Sequence, residues 1–348
     1  MLLRFAQFAV MGLAVLALTV TPSSAVVERR FANGLYPGIQ QSLTSWSNQT
    51  GVALFDFLAL AVGLLAIGLV VRSMRRAFRT RSIRPLLRGG VAVASLGSVV
   101  YLWFLLAWGL NYARPDLESR LAYEPGSVTL GGVRSLADRA VAEVNRLHPA
   151  AHSHGFPGPN EVPPALVKSF HGIERRIGRP MSTVPSRPKH TLFGWFFRSA
   201  GVDGMHAPFL LETLLNPDLT PPERPAVLAH EWAHLAGYAP EDEASFVGLI
   251  AAMHADPASQ YSAWLALLHE VAVLLSRDDQ LQLLAKLDEG PRRDRAAISR
   301  RQQSRIDLVS RASWHTYDQY LKTQGVTEGV ASYSRVVRLL LGTRALDW

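Results

Sequence analysis

Three long apolar runs within the first 110 residues restrict this chain more than anything else in it. Residues 5–20, 52–71 and 91–110 each come close to the roughly 20 residues that cross a hydrocarbon core. The second is interrupted only by Asp56, near one end, and the third carries no charge. None alternates polar and apolar faces as a helix on a soluble core does, so three in succession predict membrane spans.

Between the second and third runs lies RSMRRAFRTRSIRPLLR, with seven arginines and no acid. A short loop this basic stays cytoplasmic. With residues 72–88 inside, the second span runs inward and the third returns, so everything after Asn111 is extracytoplasmic. The first run reads as an uncleaved anchor. The Ser23-Ser24-Ala25 that follows also fits a cleaved signal peptide, and either leaves the later topology unchanged.

The net charge of +8 is unevenly placed. Residues 1–110 hold ten arginines against Glu28 and Asp56, and the remainder balances 26 basic against 26 acidic residues. No basic stripe is left to favour nucleic acid. The absence of cysteine excludes disulfides and thiolate metal ligands. The expected organisation is a membrane domain over residues 1–111 and an extracytoplasmic domain over residues 112–348.

Within the second part, residues 136–147 and 165–177 have helical spacing. Residues 148–164 are rich in Pro, Gly and His and read as a solvated loop. Its His148, His152 and His154 suit a metal, but no acidic or cysteine partner stands near them in sequence. TLFGWFF and MHAPFLLE read as short strands or a hairpin. Helices dominate from Leu219 onward, with residues 262–276, 292–320 and 327–341 as the later ones and Val330, Val336, Val337 and Leu340 available for packing.

One helix carries chemistry. Thr220-Pro-Pro-Glu223 fits a capping box, and Gly237 a C-terminal cap. Between them, AHEWAH puts His230 and His234 four apart on one face, where two imidazoles bind one metal ion and Glu231 lies beside it as a general base. A zinc site of this kind needs a third protein ligand and one open position. Ala239-Pro240 opens a second helix with Glu241, Asp242 and Glu243 in its first turn. Glu241 shares a face with Ala244, Ser245 and Gly248, small residues that allow close packing on the histidine helix. Glu241 is therefore favoured as ligand over Glu243.

The two-histidine helix followed by a glutamate on a second helix resembles the gluzincin metallopeptidases. In their membrane-bound members the third ligand opens a Glu-x-x-Ala-Asp pattern, and Glu241-Asp-Glu-Ala-Ser245 departs from it in the last residue, which leaves the orientation of His230 open. A closer resemblance is to a bacterial membrane family, the domain of unknown function 3810 group. It rests on Trp108-Gly-Leu-Asn-Tyr112, Pro188-Lys189, Gly201-Val-Asp-Gly204, Pro208-Phe209, Glu212, the run from His230 to Ala244, and Tyr261-Ser262. Together the resemblances imply a mainly α chain: three N-terminal transmembrane helices, then an α+β zincin-like metallopeptidase domain with a small sheet. They also imply the bacterial cytoplasmic membrane as location.

The expected function is a Zn2+-dependent peptidase anchored in the lipid bilayer and acting on a peptide or protein substrate. His230, His234 and Glu241 hold the metal and Glu231 moves the proton. The stretch 202–211 offers an edge strand for an extended peptide. Tyr261, His206 and His269 are candidate oxyanion donors. The alternatives are a non-catalytic metal-binding sensor or scaffold, and a zinc amidase acting on cell-envelope glycopeptide.

Overall fold

The apolar runs fold as helices, and those of the first and third begin before them. The computed structural model describes residues 2–20, 22–303, 305–306 and 335–348. α1 (Leu2–Thr19) is followed by α2 (Ser24–Val26), π-helical turns over Val27–Leu35, and α3 (Tyr36–Ser47). Next come α4 (Leu54–Thr80) and α5 (Arg84–Ala107), which pack as a helical hairpin. Both are long and apolar enough to cross a membrane, and only 6% and 11% of their most apolar windows are buried inside the protein.

The first run departs from expectation. α1 packs along α5, but it reaches the length of a span only jointly with Ser24–Ser47, across a bend of 114°. Pro22 just beyond it cannot continue a helical hydrogen-bond ladder. Two membrane-length helices are therefore clear, and the third is a bent pair.

The arginine-rich segment is also not a loop. α4 runs on through Arg79 and α5 begins at Arg84, which leaves residues 81–83 as the turn, with Arg81 left-handed at φ 46°. Arginine is a good helix former whose long stem carries its charge clear of an apolar face, so the helices continue past the apolar stretch. At the other end α5 stops at Ala107, short of the run, and Gly109–Ala113 forms a 3-10 turn.

Beyond α6 (Leu117–Arg120), α7 (Leu130–His154) is longer than its pattern suggests. It passes Pro149 and takes in His148, His152 and His154, the segment expected to be a loop. Val144, Leu147 and Ala151 form one buried stripe along it, and packing on that stripe offsets the hydrogen bond lost at the proline. The helix ends at Gly155, φ 83°.

After α8 (Pro164–Arg176) comes a small sheet of β1 (Pro188–Lys189), β2 (Gly204–Ala207) and β3 (Glu212–Leu215) in the order β1-β3-β2. β1 runs parallel to β3, and β2 antiparallel to it with His206 opposite Thr213. MHAPFLLE is thus a hairpin, with β2 at the sheet edge. TLFGWFF is not a strand, because α9 (Gly194–Ala200) runs through it. Gly194, Phe197 and Ala200 are its buried residues, a repeat of three that only a helix provides.

The remaining helices are α10 (Arg224–Leu235), α11 (Glu241–Met253), α12 (Pro257–Ala272), α13 (Arg277–Ala285), α14 (Glu289–Gln303) and α15 (Arg335–Thr343). Of the expected helix over 292–320, residues 307–320 lie outside the described residues, as do 327–334, with Val330, of the last one. α12 packs against α7, α10 and α11, around a core that includes Leu228, Trp232, Phe246, Ile250 and Leu267 and continues to Phe104 and Trp108 at the end of α5. The fold is mainly helical with a small three-stranded sheet.

Buried charges join this body to α4. Glu212, fully buried on β3, accepts the backbone N–H groups of Leu54 at 3.1 Å and Phe55 at 2.7 Å, at the start of α4. Lys189 on β1 donates to Glu212 and to the Ser47 carbonyl, both at 2.6 Å. Asp56 accepts from the Thr191 hydroxyl and the Leu192 N–H.

Candidate metal centre

The histidine helix is built at both ends by side chains from elsewhere. The capping box is present: the Thr220 N–H donates to Glu223 Oε2 at 2.8 Å, and the Thr220 side chain accepts the Glu223 N–H. The box closes a 3-10 turn over Pro221–Glu223 that leads into α10. Ser262 Oγ then accepts the N–H of Ala226 in the first turn at 3.0 Å.

At the other end Gly237 has φ +84°. Its N–H bonds to the His234 carbonyl and that of Tyr238 to the Ala233 carbonyl, the paired bonds of a Schellman cap. Carbonyls there receive further donors: Tyr36 Oη reaches Leu235 O at 2.6 Å, Trp108 Nε1 reaches His234 O at 2.7 Å, and Arg114 Nη1 reaches Gly237 O at 2.8 Å. Carbonyls at a helix end have no partner within the helix and need one. Segments on either side of the membrane-length helices supply it.

α11 packs against α10 at short range. A methyl group on Gly248 would lie 2.7 Å from the His230 backbone nitrogen, so the small residue on the same face as Glu241 is what permits the approach. The two helices converge on three atoms. His230 Nε2 is 3.1 Å from His234 Nε2 and 3.2 Å from Glu241 Oε2, and His234 Nε2 is 3.5 Å from the same oxygen. Donors bound tetrahedrally to zinc at 2.0–2.1 Å stand about 3.3 Å from one another. The trio fits such an ion by donor type and by spacing.

The outer nitrogens of both rings are held. His234 Nδ1 donates to the Tyr238 carbonyl at 2.9 Å, which directs Nε2 toward the cluster. Ser245 Oγ lies 3.1 Å from His230 Nδ1, within hydrogen-bond reach of that ring. Burial opposes charge on His234, but Glu241 beside it outweighs this and lifts its pKa to about 9. Burial likewise works against the Glu241 carboxylate, and the two imidazoles hold it well below the ordinary range.

Glu231 is buried at the edge of the cluster, and its Oε2 has no hydrogen-bond partner among the described residues. Burial pushes its carboxyl above the ordinary range against the pull of His230 and His234. Gly204 makes room for it, since a methyl group there would lie 2.6 Å from Glu231 Oε1. The neighbouring acids are engaged differently. Glu243 accepts the Leu117 N–H at 2.6 Å and pairs with Arg120 at 3.3 Å. Asp242 pairs with Arg335 at 3.3 Å.

Of the candidate oxyanion donors, His206 on β2 is buried, with both ring nitrogens unpartnered among the described residues and its ring 5.1 Å from that of Trp108. Burial, reinforced by His234, pushes its pKa well below the ordinary value, so it is a neutral imidazole. Tyr261 donates to Asp294 and belongs to a different cluster. His269 is exposed on α12, with Arg295 and Asp203 as charged neighbours. Sequence patterns missed Glu270, a partly buried carboxylate on α12 that burial pushes up to about 7 and that feels the charge of His230. No local pattern marks it. They also missed what Tyr36 and Trp108 do, although the family resemblance had singled out Trp108.

Fold and site together define a mainly helical protein with two membrane-length helices and a buried cluster of two histidines and one glutamate. The chain belongs to the family described as Protein of unknown function (DUF3810), whose profile matches residues 31–341. That span runs from the π-helical turns into α15 and includes the whole cluster. No curated protein and no solved structure matches the chain.

Proposed function

We propose that this protein is a zinc-dependent hydrolase of peptide bonds, held in the cytoplasmic membrane with its folded body on the outer side. The observation that carries the reading is the convergence of His230, His234 and Glu241 beside the buried Glu231, whose Oε2 has no hydrogen-bond partner among the described residues. A purely structural zinc site closes its shell with four protein ligands and has no use for a spare buried base.

Zinc bound there would polarise a scissile carbonyl and make water acidic enough to deprotonate. Glu231 is placed to accept that proton and return it to the leaving amine, and burial keeps it basic enough for the task. His206, a neutral imidazole whose ring nitrogens have no partner among the described residues, is a donor for the developing oxyanion. β2, at the sheet edge beside Glu231, suits an extended peptide bound by main-chain pairing. The helical hairpin supports this orientation: the start of α4 and the end of α5 meet the folded body, and the arginine-rich turn sits at the opposite end. The resemblance to gluzincins agrees with this assignment of roles.

Glu231→Gln tests it. The variant should retain zinc and lose hydrolysis by about 10²–10⁴-fold. The readout is a comparison of secreted and envelope peptides from cells carrying wild type or Glu231→Gln. Identical peptide profiles would overturn the reading.

A further inference from the structure

A second pair of histidines has the spacing of the first. His148 and His152 lie one turn apart near the end of α7, with ring centroids 4.2 Å apart. α14 brings a carboxylate to them from far along the chain. Asp294 Oδ2 is 2.8 Å from His152 Nε2 and 3.6 Å from His148 Nε2. One donor atom from each of the three residues falls within 4.8 Å of the others.

The surroundings are built to hold these groups. Tyr261 is buried on α12, and its hydroxyl donates to Asp294 Oδ2 at 2.7 Å, which fixes the carboxylate. The Phe156 ring meets that of His152 edge-on, and the Tyr261 ring meets that of His148 edge-on. Gly290 lets α14 come this near, because a methyl group there would lie 2.3 Å from His148 Cε1. The three side chains keep 22%, 41% and 16% of their surface, so an ion and its waters can reach them.

We propose that His148, His152 and Asp294 form a second metal site that binds one divalent cation of the zinc type. Two imidazoles and one carboxylate make a borderline donor set that suits zinc and its neighbours and not calcium or magnesium. Pro149, Ala150 and Ala151 separate the two histidines. None of them is an acid or a base, so nothing between these two histidines stands where Glu231 stands between His230 and His234. Its role is to staple. Asp294 and Arg301 lie two turns apart on one face of α14. Arg301 reaches Asp203 at 2.8 Å and Glu223 at 2.5 Å, the residues that precede Gly204 and α10. An ion holding Asp294 to α7 therefore secures the helix that braces the start of the histidine helix.

The test is the zinc content of the full chain, purified in detergent, equilibrated with zinc and freed of excess. Wild type should carry two ions per chain. His152→Ala and Asp294→Asn should each carry one, as should Glu241→Ala, and Glu241→Ala/His152→Ala none. Asp294→Asn keeps the shape of the side chain and an acceptor for Tyr261, so its loss of an ion would not reflect misfolding. Thermal unfolding is the second reading: zinc should raise the midpoint of Glu241→Ala and leave that of Glu241→Ala/Asp294→Asn unmoved. Equal zinc content in wild type, His152→Ala and Asp294→Asn would overturn the proposal. A single ion lost in His152→Ala and kept in Glu241→Ala would support this site and count against the first.

Discussion

Glu212 and Glu231 are both carboxylates removed from water, and they are used in opposite ways. Glu212 sits where the sheet meets α4 and has a partner on every side: Lys189 and the backbone N–H groups of Leu54 and Phe55. Glu231 sits where α10 meets β2 and leaves Oε2 without a partner among the described residues. Burying a polar group without a partner costs free energy that the fold must offset elsewhere. A fully satisfied buried charge is explained by the architecture it holds. One that is not satisfied marks the place where something else is expected to bind.

The first prediction tests the satisfied half of that contrast. Removing one partner of a buried ion pair leaves the other charge stranded, which typically costs about 3–5 kcal/mol. Lys189→Met should lower the thermal unfolding midpoint strongly, because Glu212 would keep only its two backbone donors. Lys189→Met/Glu212→Leu should recover much of the loss, since an apolar replacement of both partners is often nearly neutral. Glu231→Gln should unfold at or above the wild-type temperature, although on the proposed function it should lose hydrolysis. If Glu231→Gln instead destabilises as much as Lys189→Met, the contrast between the two carboxylates fails.

Gly204→Ala is expected to have a smaller effect on stability and a larger one on chemistry. Its backbone is not in the left-handed region, so alanine is tolerated by the chain, but the new methyl group would collide with the Glu231 side chain. The carboxylate has to swing away from the cluster. Hydrolysis should fall about 10²-fold, the scale of a misplaced catalytic group, while zinc content stays at the wild-type level. A variant with full activity would show that Glu231 works from another position.

What the sequence made legible follows from how local each signal is. Apolar runs are unbroken in sequence, and the capping box, the histidine spacing and the small residues on the face of Glu241 are each written within one or two turns of helix. The structure brings together the side chains that this spacing placed on two helices. The β2–β3 hairpin was legible too. TLFGWFF was misread because aromatic residues favour strands only where their neighbours make a sheet, and here every third residue faces the core. The arginine segment was taken as a loop for its charge, yet arginine favours helix. Residues 148–164 read as a loop for their Pro, Gly and His content, and over 148–154 the buried stripe on α7 prevails. Asp294, Tyr36 and Glu270 could not be found at all, since each comes to its site from a distant part of the chain by tertiary packing.

The smallest expected effect concerns Ser245, and it separates ligands from the groups that aim them. Its hydroxyl stands 3.1 Å from His230 Nδ1, as the Tyr238 carbonyl stands 2.9 Å from His234 Nδ1. The two rings are thus oriented by neutral oxygen atoms, one from a side chain and one from the backbone. A neutral acceptor raises the basicity of an imidazole less than a carboxylate does. Removing it should therefore cost at the lower end of what such outer partners contribute, about tenfold in zinc affinity. Ser245→Ala should show this in a competition titration against a chelator, with the fold and the Glu231 environment unchanged. Ser245→Asp puts a carboxylate beside His230 Nδ1 and should tighten zinc beyond wild type. If both substitutions leave the affinity where it was, packing of α11 through Gly248 is what orients His230, and Ser245 only fills the space beside it.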